Sequence, residues 1–115
     1  MLNAIGLQLA SSTADLQSAI DWLVPAFAQH TRAAHAGAVP YLKLWGLVTG
    51  GWQLGRGALA AARHLAEGTG DKSFLTAKIQ TARVYAEALM PQAAGLAQSV
   101  TGAGESALGL TADQF

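Results

Sequence analysis

Residues 75–100 read LTAKIQTARVYAEALMPQAAGLAQSV, and the spacing of their apolar side chains decides the fold. Leu75, Ile79, Ala82, Ala86, Leu89, Ala93, Leu96 and Val100 advance by alternating steps of four and three. Such steps bring a side chain back to the same side of a helix, whereas a strand would need every second residue. The stretch therefore predicts one long helix with a single apolar seam. Pro91 lies inside it, and because its ring removes the N–H that would bond the carbonyl of Glu87, a kink is expected there.

The same rhythm extends upstream. Tyr41, Trp45, Val48, Trp52, Gly55, Leu59, Ala62 and Ala66 form a second seam, widened by Leu44, Leu47, Gly51, Leu54 and Leu65, so this middle helix is expected to be the most buried. Leu2, Gly6, Leu9, Thr13, Leu16, Ile20, Leu23 and Phe27 form a third. Their register runs through Ser11, Ser12 and Thr13 unbroken, which favours one helix over two although Ser12 and Asp15 also match a capping box. Pro25 should kink that helix by removing the bond to the carbonyl of Asp21. Gly37 with Pro40, and Gly68-Thr69-Gly70-Asp71, read as helix stop followed by helix start. Connections this short place successive helices antiparallel. The expected architecture is all-α, an up-down-up antiparallel bundle of three long helices at about 2–34, 39–67 and 71–102. A tail at 103–115 completes a single domain spanning 1–115, with a short terminal turn packed by Leu108, Leu110 or Phe115.

Composition bounds the function. The chain has 115 residues, 51% of them hydrophobic and only 12% charged, about half the usual charged fraction. More apolar helix surface exists than one small core needs, and part of it is expected to meet a partner. Seven basic and seven acidic residues cancel, which removes the field of a nucleic-acid or anionic-membrane binder. Every Lys and Arg falls between Arg32 and Arg83, whereas the outer segments carry only acids, a pattern read as complementarity between helices. Cysteine is absent, MLNAIGLQLASS lacks the basic start of a secretory signal, and the apolar run from Lys43 to Arg56 is too short to cross a bilayer. A soluble, cytoplasmic chain is expected.

No residue set carries catalysis. Gly55-Arg56-Gly57-Ala58-Leu59-Ala60 matches the dinucleotide fingerprint G-x-G-x-x-A, but it lies in a helical register with no preceding strand. His30 and His35 sit about 140° apart around a helix, unlike the paired ligands of a helical zinc site. His64 and Arg63 are spaced for surface pairing with Glu67. Ser11, Ser12, Thr13, Ser73, Ser99 and Ser106 fall at caps, helix surfaces or the tail, without the strained turn of a nucleophile elbow. Glu67 and Asp71 flank a turn, and Glu87 is placed to pair with Arg83 four residues earlier. No catalytic, cofactor-binding or metal-binding residue is assigned.

The candidate residues are instead packing or interface positions: Trp45, Gly46, Gly50, Gly51, Trp52, Gly55 and Tyr85. Gly46 and Gly50, then Gly51 and Gly55, repeat at intervals of four and form small-residue patches where another backbone can approach. Glycine costs a helix about 1 kcal/mol per residue, so packing must compensate. Leucine at Gly50 or Gly51 is expected to disrupt packing or assembly. Trp22, Trp45 and Trp52 suit core or interface anchors.

From Val39 onward the chain resembles the C-terminal helical extension found in one branch of the acyl-CoA dehydrogenases. The likeness rests on PYLKLWG (40–46), GGW (50–52), AEGTGD (66–71), FLTAK (74–78), ARVYAE (82–87) and MPQA (90–93) in combination, while the first helix matches in position and pattern. The resemblance implies a parent flavoenzyme that oxidises an acyl-CoA thioester across its α,β carbons, with a glutamate base and FAD as hydride acceptor. Those sites belong to the upstream dehydrogenase core, and none maps onto this sequence. Because Met1 opens directly on the helical pattern, the chain reads as a fragment of such an enzyme. Its expected role is a non-catalytic structural domain that docks on the core of the same chain and supports a homo-oligomer. A free-standing helical adaptor and a carrier enclosing an acyl chain are the alternatives.

Overall fold

The computed structural model describes residues 2–115, so Met1, the first residue of the expected domain, lies outside them. Helix α1 spans Leu2–Gln29, α2 Thr31–Ala36, α3 Ala38–Glu67, α4 Lys72–Val84 and α5 Ala93–Ala107. Between α4 and α5 the backbone passes through a π turn at Tyr85–Leu89 and a 3-10 turn at Met90–Gln92. A last 3-10 turn covers Ala112–Gln114. No strand occurs among the described residues.

Local chemistry explains most of these boundaries. Gly68 ends α3 in the left-handed region at φ 70°. Its N–H bonds the Leu65 carbonyl and that of Thr69 bonds the His64 carbonyl, the paired closure that a side chain at this φ would strain. Asp71 then opens α4, its carboxylate accepting from the Phe74 N–H at 3.0 Å. α1 runs through Ser11–Thr13 uninterrupted. It stops at Gln29, short of the expected residue 34, and His30 leaves helical geometry at φ −141°. The Thr31 hydroxyl donates to the Phe27 carbonyl at 2.8 Å, occupying the acceptor that the Thr31 N–H would use in a continuous helix.

Pro91 interrupts the third seam by a specific device. Upstream of it the Met90 N–H reaches the carbonyl of Tyr85, five residues back, which is the π spacing. A π turn rotates each residue by less than an α-helix does, so the seam advances from Ala86 to Met90 instead of to Leu89. Met90 is 1% exposed and Leu89 41%. After the turn the α-helical register resumes with Ala93, Val100 and Gly104 buried, and α5 continues to Ala107, beyond the expected end at residue 102. Gly104 permits this, because a Cβ there would lie 2.9 Å from that of Ala33 in α2.

Two apolar clusters form the core. One joins Leu16, Ala19, Leu23 and Ala26 of α1 with Leu44 and Val48 of α3 and Ala93 and Val100 of α5, with Ala34 of α2 included. The other joins Ile5 of α1, Ala58 and Ala61 of α3, Leu75, Ile79 and Ala82 of α4, and Ala86 and Met90. Alanine is the commonest residue in both, so the helices approach closely. At the α2–α3 corner this closeness requires a glycine: a Cβ on Gly37 would stand 2.7 Å from the Val100 carbonyl oxygen. Ser12, read as a cap or surface residue, is buried and donates to the Met90 carbonyl at 3.4 Å.

The molecule is long and thin, 66 × 27 × 17 Å. Its radius of gyration is 18.5 Å, against about 13 Å for a compact chain of this length. The middle helix is not the most buried, since α3 buries five residues and α1 six. The expected terminal turn exists, but Leu108, Leu110 and Phe115 all remain exposed.

Candidate functional site

The candidate residues fall into two groups on either side of α3. Gly50, Gly51 and Tyr85 meet at the junction of α3 with the π turn. A Cβ on Gly50 would lie 2.5 Å from the Tyr85 hydroxyl, and one on Gly51 2.5 Å from the Met90 sulfur. The Tyr85 phenol donates to the Leu47 carbonyl at 2.8 Å. Burial pushes its pKa above the ordinary 10.0, because the phenolate loses more hydration than the neutral form. Met90 belongs to this contact and was not singled out from the sequence. Pro91, which follows it, was the available signal. Gly46 and Gly55 stand apart: a Cβ on Gly46 would touch nothing within 4 Å, and one on Gly55 would make an ordinary 3.7 Å contact with Ile5.

Trp45 and Trp52 are each 48% exposed. With Leu59 they repeat every seventh residue along one side of α3, so their rings face outward as a stripe. Trp22, by contrast, packs partly buried against the first core cluster. Beside the stripe, Leu2, Ile5, Gly6 and Leu9 of α1 form the opposite wall of a shallow groove floored by Trp52, Gly55 and Leu59. The Arg56 guanidinium carbon lies 5.2 Å from the centre of the Trp52 ring, within cation–π range. A second groove, of about 480 Å³, runs along the other side of α3 between Leu54 and a wall of Ala77, Gln80, Thr81, Val84, Tyr85 and Leu89. In an adjoining groove lined by Leu54, Gly57, Phe74 and Lys78, the Lys78 ammonium lies 5.5 Å from the Phe74 ring centre.

The polar candidates do not converge. The His64 Nδ1 pairs with the Thr69 hydroxyl at 2.9 Å, and neither His64 nor Arg63 is bridged to Glu67. His35 meets Phe27 edge-on at 5.8 Å, while His30 stands exposed at the break after α1. Glu87 accepts from Arg83 at 2.8 Å on an exposed face, as the spacing predicts. Among the described residues no group of three His, Asp or Glu side chains could hold a metal ion, and none of their buried polar side-chain atoms lacks a partner. Gly55 and Gly57 lie in the interior of α3, where backbone N–H groups are engaged along the helix, so this fingerprint does not fit the phosphates of FAD. What the surface can do is bury apolar area against another surface.

Comparison with known proteins agrees with the resemblance and extends it to the first helix. Residues 1–111 match the family described as acetyl-CoA dehydrogenase C-terminal like. Among curated proteins, the chain is 39% identical over 104 residues to 3-methylmercaptopropionyl-CoA dehydrogenase of Ruegeria pomeroyi, an alignment covering 90% of this chain and 18% of that protein. No solved structure matches. The chain spans under a fifth of its relative's length. On the family match, the chain belongs to the acetyl-CoA dehydrogenase C-terminal-like family, the helical C-terminal domain of acyl-CoA dehydrogenases.

Proposed function

We propose that this chain is the non-catalytic docking domain of an FAD-dependent, cytoplasmic acyl-CoA dehydrogenase, and that it holds the enzyme's catalytic core in its oligomer. The parent reaction is α,β-dehydrogenation of an acyl-CoA thioester, carried out by the rest of the enzyme. FAD supplies hydride acceptance when bound there, and the residues of this domain neither hold it nor act on substrate. The domain's helical arms run up along α1, down along α3 and up again along α4 and α5. In support of that course, the start of α1, the end of α3 and the start of α4 share one core cluster.

The observation that carries the proposal is the unfinished exterior. The chain exposes 7300 Å² for a mass of 11.8 kDa, where a monomer of that size exposes about 5,900 Å². The excess of about 1,400 Å² exceeds the roughly 800 Å² that each partner contributes to a standard interface. Exposed large apolar residues on α3, α4 and the π turn include Leu42, Trp45, Trp52, Leu59, Phe74, Val84 and Leu89. Among the described residues no helix is long and apolar enough to cross a membrane. An excess of interface size that carries two exposed tryptophans matches a protein partner.

Deleting the domain from the full-length enzyme tests this. The truncated enzyme is expected to lose its native mass in solution together with FAD content and turnover. Native mass, full flavin occupancy and unchanged turnover after truncation would refute the proposal.

A further inference from the structure

We propose that the domain docks through the Trp45–Trp52–Leu59 stripe of α3, and that the surface it meets on the dehydrogenase core is apolar and carries a carboxylate opposite Arg56. This rests on the docking role proposed above and names the face and the partner's chemistry.

The argument begins with Arg56. Its guanidinium lies over Trp52, so any surface that covers the tryptophan also takes water from the charge. Removing water from an unpaired cation is costly, which would offset much of what burying the stripe provides. A carboxylate on the incoming surface removes that penalty and can accept two parallel N–H bonds from the guanidinium. The domain supplies no such group itself. No acidic residue occurs before Asp15, so the α1 wall of the groove is free of carboxylates, and Arg56 has no ion-pair partner among the described residues.

The same charges weigh against a second copy of this chain on that face. Arg56 and Arg63 stand one heptad apart along the stripe, and a two-fold pairing centred near Leu59 would confront cations with cations. The groove on the other side of α3 lacks this demand. No cation lines that groove itself, and Arg83 of α4 is already held by Glu87. Lys78 lies over Phe74 on a flexible stem that can keep its ammonium in water while the stem is covered. Two tryptophans in register, flanked by an arginine, are also the residue types that carry binding energy at protein interfaces.

Hydroxyl-radical footprinting of the full-length enzyme, comparing wild type with Arg56→Glu and Arg56→Gln, tests the assignment. In wild type, oxidation of Trp45 and Trp52 is expected to be at least fivefold slower than in Arg56→Glu, with Arg56→Gln between them. Phe115, 93% exposed, is the solvent reference, and buried Met90 should stay protected in all three, showing that the domain remains folded. Equal Trp45 and Trp52 oxidation in wild type and Arg56→Glu would overturn the carboxylate assignment. If Val84 and Leu89 are shielded while the tryptophans react freely, the docking role stands and the face is wrong. If neither face is shielded in the intact enzyme, the docking role itself fails.

Discussion

Alanine at Gly46 and alanine at Gly51 should have opposite effects, although both sites lie inside α3 and the sequence places them in equivalent small-residue patches. Each substitution gains about 0.5–1 kcal/mol, because alanine is the better helix former and loses less backbone freedom on folding. At Gly46 the new methyl meets nothing within 4 Å, so that gain stands alone. At Gly51 it would sit 2.5 Å from the Met90 sulfur and 2.6 Å from its terminal methyl, where ordinary contacts need about an ångström more. Met90 is itself buried, so it moves only by displacing its neighbours, and overpacking of this kind costs about 1–3 kcal/mol. The expected net effects are stabilisation of about 0.5–1 kcal/mol for Gly46→Ala and destabilisation of about 1 kcal/mol for Gly51→Ala. Thermal unfolding followed by far-UV circular dichroism should separate the two midpoints by about 6–8 °C, at about 4 °C per kcal/mol for a domain of this size. Met90→Ala removes the clashing atoms, so its combination with Gly51→Ala should be less destabilised than the sum of the single variants by about 1 kcal/mol. Equal midpoint shifts for the two glycine variants, or strict additivity in the double variant, would refute the packing argument.

Tyr85→Phe removes the hydrogen bond to Leu47 and should cost about 1 kcal/mol near neutral pH by urea denaturation. Because the folded phenol has its pKa raised, that contribution is intact below pH 10 and is lost as pH rises through the folded value, so the two proteins should converge above pH 10. A gap that widens in alkali would contradict the burial of Tyr85. Met90→Gln should unfold the domain or lower its midpoint steeply, whereas Leu89→Gln should leave it nearly unchanged, and the reverse ranking would show that the π turn does not set the seam. Asp71→Ala should cost about 1 kcal/mol in the same denaturation assay by removing the cap on α4, and no loss would dismiss that cap.

Helical class, the continuity of the first helix through Ser11–Thr13 and the Gly68–Asp71 turn were legible because each depends on residues close in sequence. Two features were not. The seam failed at Leu89, where Pro91 shifts backbone bonding to the π spacing; heptad counting assumes a uniform rotation per residue and cannot register such an insertion. On α3 the series through Trp45, Trp52 and Leu59 is as periodic as a core, yet these residues face outward while Leu44, Gly51, Ala58 and Ala61 are buried. A stripe that meets another surface and a stripe that packs inside its own fold obey the same 3–4 spacing, and only the contacts distinguish them. The glycines follow the same logic, since spacing marks where a backbone can approach, but Tyr85 and Met90 select Gly50 and Gly51 over Gly46 and Gly55.

On the proposed function, the exposed faces of this domain bind the dehydrogenase core. Sedimentation velocity of the core lacking this domain, run with and without the separately purified 115-residue chain, tests it most directly. The two should comigrate at one chain per core subunit, and adding the chain should shift the core toward the mass of the intact oligomer. Separate boundaries, with the truncated core already sedimenting as the native oligomer, would contradict it.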